Sequence, residues 1–206
     1  MPKPAKLAAR RPRGTLTDEL ILDVSSKLFR ERGYDRTNLD DVASALSVTK
    51  PSLYYYFRNK EEILLACISA AYARTREGLA RVDDPAYSGR RRVELMMRIY
   101  MEVISDDTGV SIVLADERVM SETGQKQYRE MRRELNAALE KRVAQGVADG
   151  SLATTDVSLT AAAIFGMFNW VSHWSSARRA AAAPEAISDH FLALIFDGLA
   201  SKAESR

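Results

Sequence analysis

Residues 37–60 read TNLDDVASALSVTKPSLYYYFRNK, and this stretch decides how the chain folds. It predicts two helices of about seven or eight residues, over 39–46 and 50–57, joined by a break of two residues. Thr37 or Asn38 can cap the first of these helices, because both side chains carry an oxygen that accepts from helical N–H groups. Two short helices joined by such a turn are typical of a helix-turn-helix unit.

The second helix of this unit carries side chains suited to nucleic acid. In a helix-turn-helix the second helix enters the major groove, and its N-terminal residues meet base edges. Leu53 and Phe57 are four residues apart, so both are expected to point into the core. The residues left facing outward are Thr49, Lys50, Ser52, Tyr54, Tyr55 and Tyr56. Tyrosine hydroxyls can donate to phosphate, which favours a DNA-binding unit. The alternative interpretation of this stretch is a small three-helix packing unit with exposed aromatic residues.

Helical patterns continue on both sides of this unit. Upstream, a helix is predicted over about 17–32. Downstream, Asn59 is placed to cap a long helix that ends near Val82, and Lys60 beside that helix N-terminus makes a phosphate site. Five further helical segments follow, at about 89–105, 110–120, 122–149, 156–177 and 184–202. The sequence therefore predicts an all-α chain of about nine helices.

Composition limits the classes of protein that this chain can belong to. Its 206 residues are 46% hydrophobic and 28% charged, which excludes a disordered chain. A single cysteine, Cys67, excludes a disulfide framework and a multi-cysteine metal site, and it is interpreted as a small core residue. Neither a signal peptide nor a run of about 18 uncharged apolar residues is present, so a cytoplasmic protein without a membrane span is expected.

Charge is distributed unevenly along the chain. Residues 1–60 hold 12 Lys/Arg against 7 Asp/Glu, so the front is basic, while the remainder is mildly acidic. A basic front suggests a segment that meets a polyanion. Residues 1–14 carry five basic side chains, Arg11 and Arg13 among them, interleaved with prolines and free of acids. Two interpretations stand for this segment: a solvated leader, or a basic arm that folds onto nucleic acid.

The stretch 33–64 resembles the signature of TetR-family transcriptional repressors. The resemblance is carried by GYDRTNLDDVA at 33–43 and by VTKPSLYYYFRNKEEIL at 48–64. It implies an all-α homodimer whose N-terminal three helices bind DNA and whose remaining helices form a ligand domain, the last two making a four-helix dimer interface. On this basis the chain divides into a basic flexible arm at 1–14, a helix-turn-helix domain at 15–61, and a ligand-binding and dimerisation domain at 62–206.

The same resemblance assigns roles to single residues. The positions at which the family reads bases are Thr49, Lys50, Pro51 and Ser52. The positions at which it grips phosphate are Tyr54, Tyr55, Tyr56 and Lys60, with Thr37 as a further candidate. Lys50 is the strongest candidate for a guanine contact through O6 and N7. The implied partner is a double-stranded DNA operator that is near-palindromic, with one helix-turn-helix for each half-site.

The last two helical segments suit an interface between two copies of the chain. Residues 160–170 are rich in small and apolar side chains, and the final segment carries, among other apolar residues, Ile187, Phe191, Leu194, Ile195, Phe196 and Leu199. Aromatic side chains supply buried area, and a two-fold interface needs one self-complementary patch. An ordinary monomer core is the alternative interpretation.

A narrower resemblance concerns the ligand. Residues 166–174 read GMFNWVSHW, whereas TetR proteins that bind acyl-CoA thioesters often carry Asn-Trp-x-x-Arg-Trp here. His173 replaces the arginine, and histidine is largely neutral near pH 7, so Arg178 one turn further on is the candidate for that charge. Methionines at 96–131 favour an apolar effector pocket or, alternatively, a plain core. The candidate ligand contacts are Met97, Met101, Phe165, Phe168, Asn169, Trp170, His173, Trp174 and Arg178.

These observations together predict a ligand-responsive repressor that a small apolar effector, such as a fatty acyl-CoA thioester, releases from its operator in control of lipid catabolism. The alternative is a TetR-type repressor that senses aromatic or amphipathic compounds and controls an efflux or detoxification gene. A helical module that has lost DNA binding is the third possibility. Nucleophile elbows, phosphate-binding glycine loops and paired metal-ligating histidines are lacking, so neither an enzyme nor a resident metal or cofactor is predicted.

Overall fold

The structure is a computed structural model that describes residues 16–109, 115–173 and 183–199. These ranges form eight α-helices, two 3-10 turns and no strand, as the all-α prediction expects. The helices are α1 (Asp18–Arg32), α2 (Leu39–Leu46), α3 (Lys50–Tyr54), α4 (Lys60–Val82), α5 (Gly89–Ser105), α6 (Glu122–Ala148), α7 (Val157–Trp170) and α8 (Pro184–Asp197). None of these helices is long and apolar enough to cross a lipid bilayer.

Helices α1 to α3 form a small unit, here called the head, and its turns are fixed by side-chain caps. Asn38 caps α2 by accepting from the backbone N–H groups of Asp40 and Asp41, at 2.8 and 3.0 Å. The Asp41 carboxylate accepts in return from the backbone N–H of Asn38, which completes a capping box. Ser47 ends α2 with a φ of 57°, in the left-handed region, and so turns the chain sharply into α3.

One core joins the head to the start of α4. Ile21, Val42, Leu53 and Ile63 come from α1, α2, α3 and α4 in turn, and all four are fully buried. Burying a side chain of this size stabilises a fold by roughly 1.5–3 kcal/mol. Helix α3 has only five residues, so its orientation depends on the Leu53 anchor rather than on its own hydrogen bonds.

Helices α4 to α8, here called the body, pack around α5. Helix α5 contacts α4, α6, α7 and α8. Its inner face is closed to water and consists of Val93, Met96, Met97, Tyr100, Met101 and Ile104. The start of α5 crosses the end of α6 at Gly89, where any side chain would collide with the backbone of Gly146. Glycine is therefore required at this crossing.

The predicted helices over 50–57 and 110–120 differ from the structure in the described ranges. The helix expected over 50–57 ends at Tyr54, and a turn follows it. The segment expected as a helix over 110–120 lies partly outside the described residues, and its described part forms only the 3-10 turn Glu117–Val119. The physical reason is local: Asp116 is extended, and its carboxylate accepts from the backbone N–H of Arg118 instead of allowing a helical turn.

The two last helices are shorter than predicted. Helix α7 ends at Trp170 and continues as the 3-10 turn Val171–His173, while residues 174–182 lie outside the described ranges. Helix α8 ends at Asp197 rather than near residue 202, because Gly198 adopts a φ of 73°. A positive φ at glycine is a common way to end a helix.

Candidate nucleic-acid interface

Helix α3 presents a polar edge on the side opposite its buried anchor. Leu53 is fully buried and Phe57 nearly so, as their spacing predicts. The residues on the other side, here called the reading edge, are Thr49, Lys50, Pro51 and Ser52, all exposed or half-buried. The hydroxyls of Thr49 and Ser52 share a hydrogen bond of 2.8 Å. The reading edge thus offers an ammonium group and two hydroxyls side by side.

Lys50 is held by an acid from the preceding helix. Its Nζ donates to Oδ2 of Asp40 at 2.8 Å, across the turn between α2 and α3. The hydrogen bond to Asp40 raises the pKa of Lys50, so this side chain stays charged at neutral pH. Asp40, in the first turn of α2, is one residue that sequence reasoning missed. The available signal was a pair of opposite charges on two consecutive helices.

The three consecutive tyrosines take different directions. Tyr55 is 85% exposed and Tyr54 is 49% exposed, so both rings are available to a partner. Tyr56 is half-buried, and its hydroxyl donates to the backbone carbonyl of Leu16 at 2.8 Å. That bond fastens the chain before α1 to the turn after α3. Tyr56 therefore has a structural role inside the head, and the exposed Tyr55 ring meets the Tyr56 ring edge to face, with ring centres 5.2 Å apart.

Lys60, the first residue of α4, is positioned by Tyr34. Its Nζ donates to the backbone carbonyl of Tyr34 at 2.7 Å and lies 4.0 Å from the centre of that ring. Partial burial lowers the pKa of Lys60, and burial raises the pKa of the Tyr34 hydroxyl to about 12. An ammonium has three donors, so donors remain for a phosphate beside the helix N-terminus. Tyr34 is a second residue that sequence reasoning missed.

Three of the expected nucleic-acid contacts need a correction or fall outside the structure. Thr37 is 1% exposed, and its hydroxyl donates to the carbonyls of Gly33 and Leu28, at 2.9 and 3.4 Å. This hydroxyl therefore holds the turn between α1 and α2 and is not presented at the surface, so a phosphate contact by Thr37 is dropped. Arg11 and Arg13 lie outside the described residues.

Polar contacts connect the head, and the first turn of α4 next to it, to the rest of the body. Oε1 of Glu61, in the first turn of α4, accepts from the backbone N–H and the hydroxyl of Ser121, at 2.9 and 2.7 Å. Ser121 is also the N-cap of α6. Arg30 at the end of α1 forms an ion pair with Asp107 beyond α5. A cavity of about 370 Å³ opens between head and body, with Tyr34 in its wall.

The candidate ligand residues of the body divide into two groups. The first group is buried between α5 and α7 and consists of Met97, Met101, Phe165 and Phe168. Beside this group the Tyr100 hydroxyl donates to Oδ1 of Asn169 at 2.6 Å. The rings of Tyr100 and Phe165 meet edge to face, with ring centres 5.1 Å apart. Asn169 thus supplies a polar acceptor in apolar surroundings.

The second group lies on the outer face of α7. Trp170 is 61% exposed and stacks on His173, with ring centres 4.8 Å apart. Further apolar or small residues of α7 share this exposed face: Leu159, Ala162, Ala163 and Gly166. Trp174 and Arg178 lie outside the described residues. The short motif around Asn169 therefore turns one side to the core and the other side to the surface.

Two family models match this chain. Residues 87–199 match the model described as "Tetracyclin repressor-like, C-terminal domain", and residues 21–67 match "Bacterial regulatory proteins, tetR family". The first match covers α5 to α8, and the second covers most of the head together with the start of α4.

Individual proteins show the same similarity. The biofilm operon icaADBC HTH-type negative transcriptional regulator IcaR of Staphylococcus epidermidis is 40% identical over 68 residues, which is 33% of this chain and 37% of IcaR. The TetR-family regulator PfmR of Thermus thermophilus is 25% identical, with a TM-score of 0.79 over 88% of this chain and 99% of PfmR. AibR, crystallised with isovaleryl coenzyme A and operator DNA, is 24% identical, with a TM-score of 0.76 over 87% of this chain and 97% of AibR.

Proposed function

The chain belongs to the TetR family of bacterial regulatory proteins, and from that premise we propose that it is a dimeric repressor that a fatty acyl-CoA thioester releases from its operator. Its similar proteins are transcriptional regulators rather than enzymes. The proposal that the chain binds DNA rests on the reading edge of α3. There Lys50 and the hydroxyls of Thr49 and Ser52 lie on the side of the helix opposite the buried Leu53. Such groups suit contacts to base edges in the major groove.

The exposed face of α7 supports the dimer. Leu159, Ala162, Ala163, Gly166 and Trp170 recur at the spacing of one helix face, and all are exposed in the single chain. A contiguous apolar face of this kind is unusual on the surface of a monomer. Small residues allow two helices to approach closely, and a two-fold interface needs the same patch on both copies. Two copies would present two reading edges to a near-palindromic operator.

An acyl-CoA thioester is the effector class that we put first. AibR, which has the same fold, was crystallised with such a thioester and with operator DNA. In this chain the half-buried amide of Asn169 and the hydroxyl of Tyr100 offer polar groups beside methionine and phenylalanine side chains that suit an acyl chain. The exposed Trp170 and His173 lie on the other side of the same turn.

Release from DNA sets a thermodynamic requirement on the effector. A ligand shifts the protein away from its DNA-bound arrangement only if it binds the DNA-free arrangement more tightly. A 100-fold loss of operator affinity needs about 2.7 kcal/mol of coupling between the two sites. Such coupling can pass from body to head through the ion pair of Arg30 with Asp107, and through the contact of Ser121 with Glu61 in the turn of α4 that adjoins the head.

The test uses the unsubstituted protein and a duplex that it selects from a random DNA pool. Operator affinity is measured by fluorescence anisotropy with a long-chain acyl-CoA, with free CoA and with the free fatty acid. We expect the thioester alone to lower the affinity, and intrinsic fluorescence to change in parallel, since Trp170 and Trp174 are the two tryptophans of the chain. Release by unrelated aromatic or amphipathic compounds, with no response to the thioester, would replace this effector by the alternative class.

A further inference from the structure

Among the described residues, Lys50 is the one hydrogen-bond and ion-pair partner of the side chain of Asp40. Asp40 lies in the first turn of α2, and 64% of its side chain is exposed. The cap of α2 is made by Asn38 and Asp41, and Asp40 contributes only its backbone N–H to it. Among the described residues, its carboxylate contacts Lys50 alone. The stability of the head draws from this carboxylate only the weak interaction of an exposed first-turn acid with the dipole of α2.

An acid beside the reading edge is unfavourable for binding DNA in general. Non-specific binding comes from cations that neutralise phosphates, and log K changes by about 0.9 of a unit per decade of salt for each such contact. Lys50 can contribute to this binding only after it leaves Asp40. The carboxylate of Asp40 is then left unpaired near the phosphates, which repel it. Both effects weaken binding to an arbitrary sequence.

A guanine changes this balance. Its O6 and N7 present two acceptors to one ammonium in the major groove. An ammonium has three donors, so a Lys50 that reaches a guanine can keep its hydrogen bond to Asp40 while it donates to O6 and N7. At a site without such a base, Lys50 has to leave Asp40 to reach a phosphate, and the ion pair is lost. Because a surface ion pair contributes little, the resulting penalty on non-operator DNA is small, but it falls on non-operator DNA selectively.

We propose that Asp40 is a specificity-determining residue: it competes for Lys50 and so penalises binding to non-operator DNA more than binding to the operator. This inference rests on the proposed DNA-binding function. In this proposal Asp40 of α2 does not contact a base itself, but it affects the ratio of operator affinity to non-operator affinity that α3 achieves. A lysine without this competitor would bind any phosphate within its reach.

The experiment compares Asp40→Asn with the unsubstituted protein on two duplexes, the selected operator and a scrambled sequence of the same length and composition. Anisotropy titrations run from about 50 to 200 mM salt. We expect Asp40→Asn to bind the scrambled duplex roughly five-fold more tightly and the operator less than about two-fold more tightly. The salt dependence on the scrambled duplex should steepen by about one unit for each protomer bound.

Two controls separate the competition from a general change of charge. Asp23→Asn removes an exposed acid of α1 for which the described part of the chain gives no ion pair, and it should leave the ratio of operator to scrambled affinity unchanged. In a Lys50→Gln background, Asp40→Asn should lose most of its effect on that ratio. Thermal unfolding should change only slightly in these variants, since Asp40 caps nothing with its carboxylate and gives up only a surface ion pair and a weak interaction with the α2 dipole.

Two results would overturn the inference. An equal gain on both duplexes would reduce Asp40 to a net-charge effect. A loss of operator affinity with unchanged scrambled binding would mean that Asp40 orients Lys50 or itself accepts from a cytosine N4. If the unsubstituted protein selects no duplex from the pool, the proposed function fails, and that result is distinct from a variant that leaves the specificity unchanged.

Discussion

Glu61 and Ser121 join the first turn of α4, which adjoins the head, to the start of α6 through one carboxylate oxygen, which accepts from the Ser121 backbone N–H at 2.9 Å and from its hydroxyl at 2.7 Å. Glu61 follows Lys60, which Tyr34 positions at the end of α4 nearest to the reading edge. Ser121 begins α6, the longest helix described in the body. A shift of α6 therefore pulls directly on the turn of α4 that carries a candidate phosphate contact.

Ser121→Ala should weaken the response to the effector more than it weakens DNA binding. The substitution removes both the hydroxyl bond to Glu61 and the cap of α6, so the free energy of unfolding should fall by about 1 kcal/mol. We expect the effector to release the operator several-fold less effectively, measured by anisotropy with and without acyl-CoA. Ser88→Ala is the matched control, because Ser88 caps α5 without contacting the head. An equal loss of response in both variants would contradict this prediction.

Lys50→Ala and Lys60→Ala should both weaken DNA binding, but with a different dependence on sequence and on salt. Lys50 is placed to read a base, so its removal should cost about 1–3 kcal/mol on the operator and relax one operator position. Lys60 is placed beside a helix N-terminus, so its removal should weaken binding to every sequence and flatten the salt dependence by about one unit for each protomer. Binding of each variant to single-base operator variants, over a range of salt, checks both. A uniform loss for Lys50→Ala would remove its base-reading role.

The head was predictable from sequence because its signals are local. The Asn38 cap, the Asn59 cap and the spacing of Leu53 and Phe57 each operate within four residues, and the structure has all of them. Thr37 was a candidate phosphate contact by family resemblance, and neither the resemblance nor the sequence spacing shows that its hydroxyl reaches back to the Leu28 carbonyl. This contact depends on how the turn folds against α1.

The contacts that position the residues around the start of α4 were not predictable, because they join residues distant in sequence. The Lys60–Tyr34 contact spans 26 residues, and the Glu61–Ser121 contact spans 60. In the same way, the motif around Asn169 gave no indication that Trp170 faces outward while Asn169 accepts from Tyr100. Periodicity defines which face of a helix is apolar, but it does not say which of two apolar surfaces a residue joins.

The exposed face of α7 leads to a prediction about assembly. A side chain at Gly166 would meet no described atom within 4 Å in the single chain. Gly166→Glu should therefore leave the fold intact but place a charge in the proposed interface and shift the protein to monomers, as measured by light scattering with size-exclusion chromatography. Ala144→Glu, on an exposed position of α6, should leave the mass unchanged. A Gly166→Glu protein with an unchanged dimer mass would move the interface elsewhere.

Stability should decline at alkaline pH because buried acidic groups of the body keep their protons. Burial raises the pKa of the Cys67 thiol to about 11 and also raises the pKa values of Tyr72 and Tyr100. The pKa of a thiol in an unfolded chain is about 8.5. Above about pH 9 the unfolded chain therefore releases a proton that the folded chain retains. The free energy of unfolding should then fall as pH rises from about 9 to 11, with Cys67 contributing about 2–3 kcal/mol over that window.

Urea unfolding at several pH values between about 8 and 11 measures this decline. Cys67→Ala should be less stable at every pH, since it leaves a small cavity, but its stability should fall less steeply with pH because one titrating group is gone. The same thiol should resist alkylation near pH 8 in the folded protein and react once the chain is unfolded, because the thiolate is the reactive form. Equal pH dependence in the parent and in Cys67→Ala would show that Cys67 does not drive the decline.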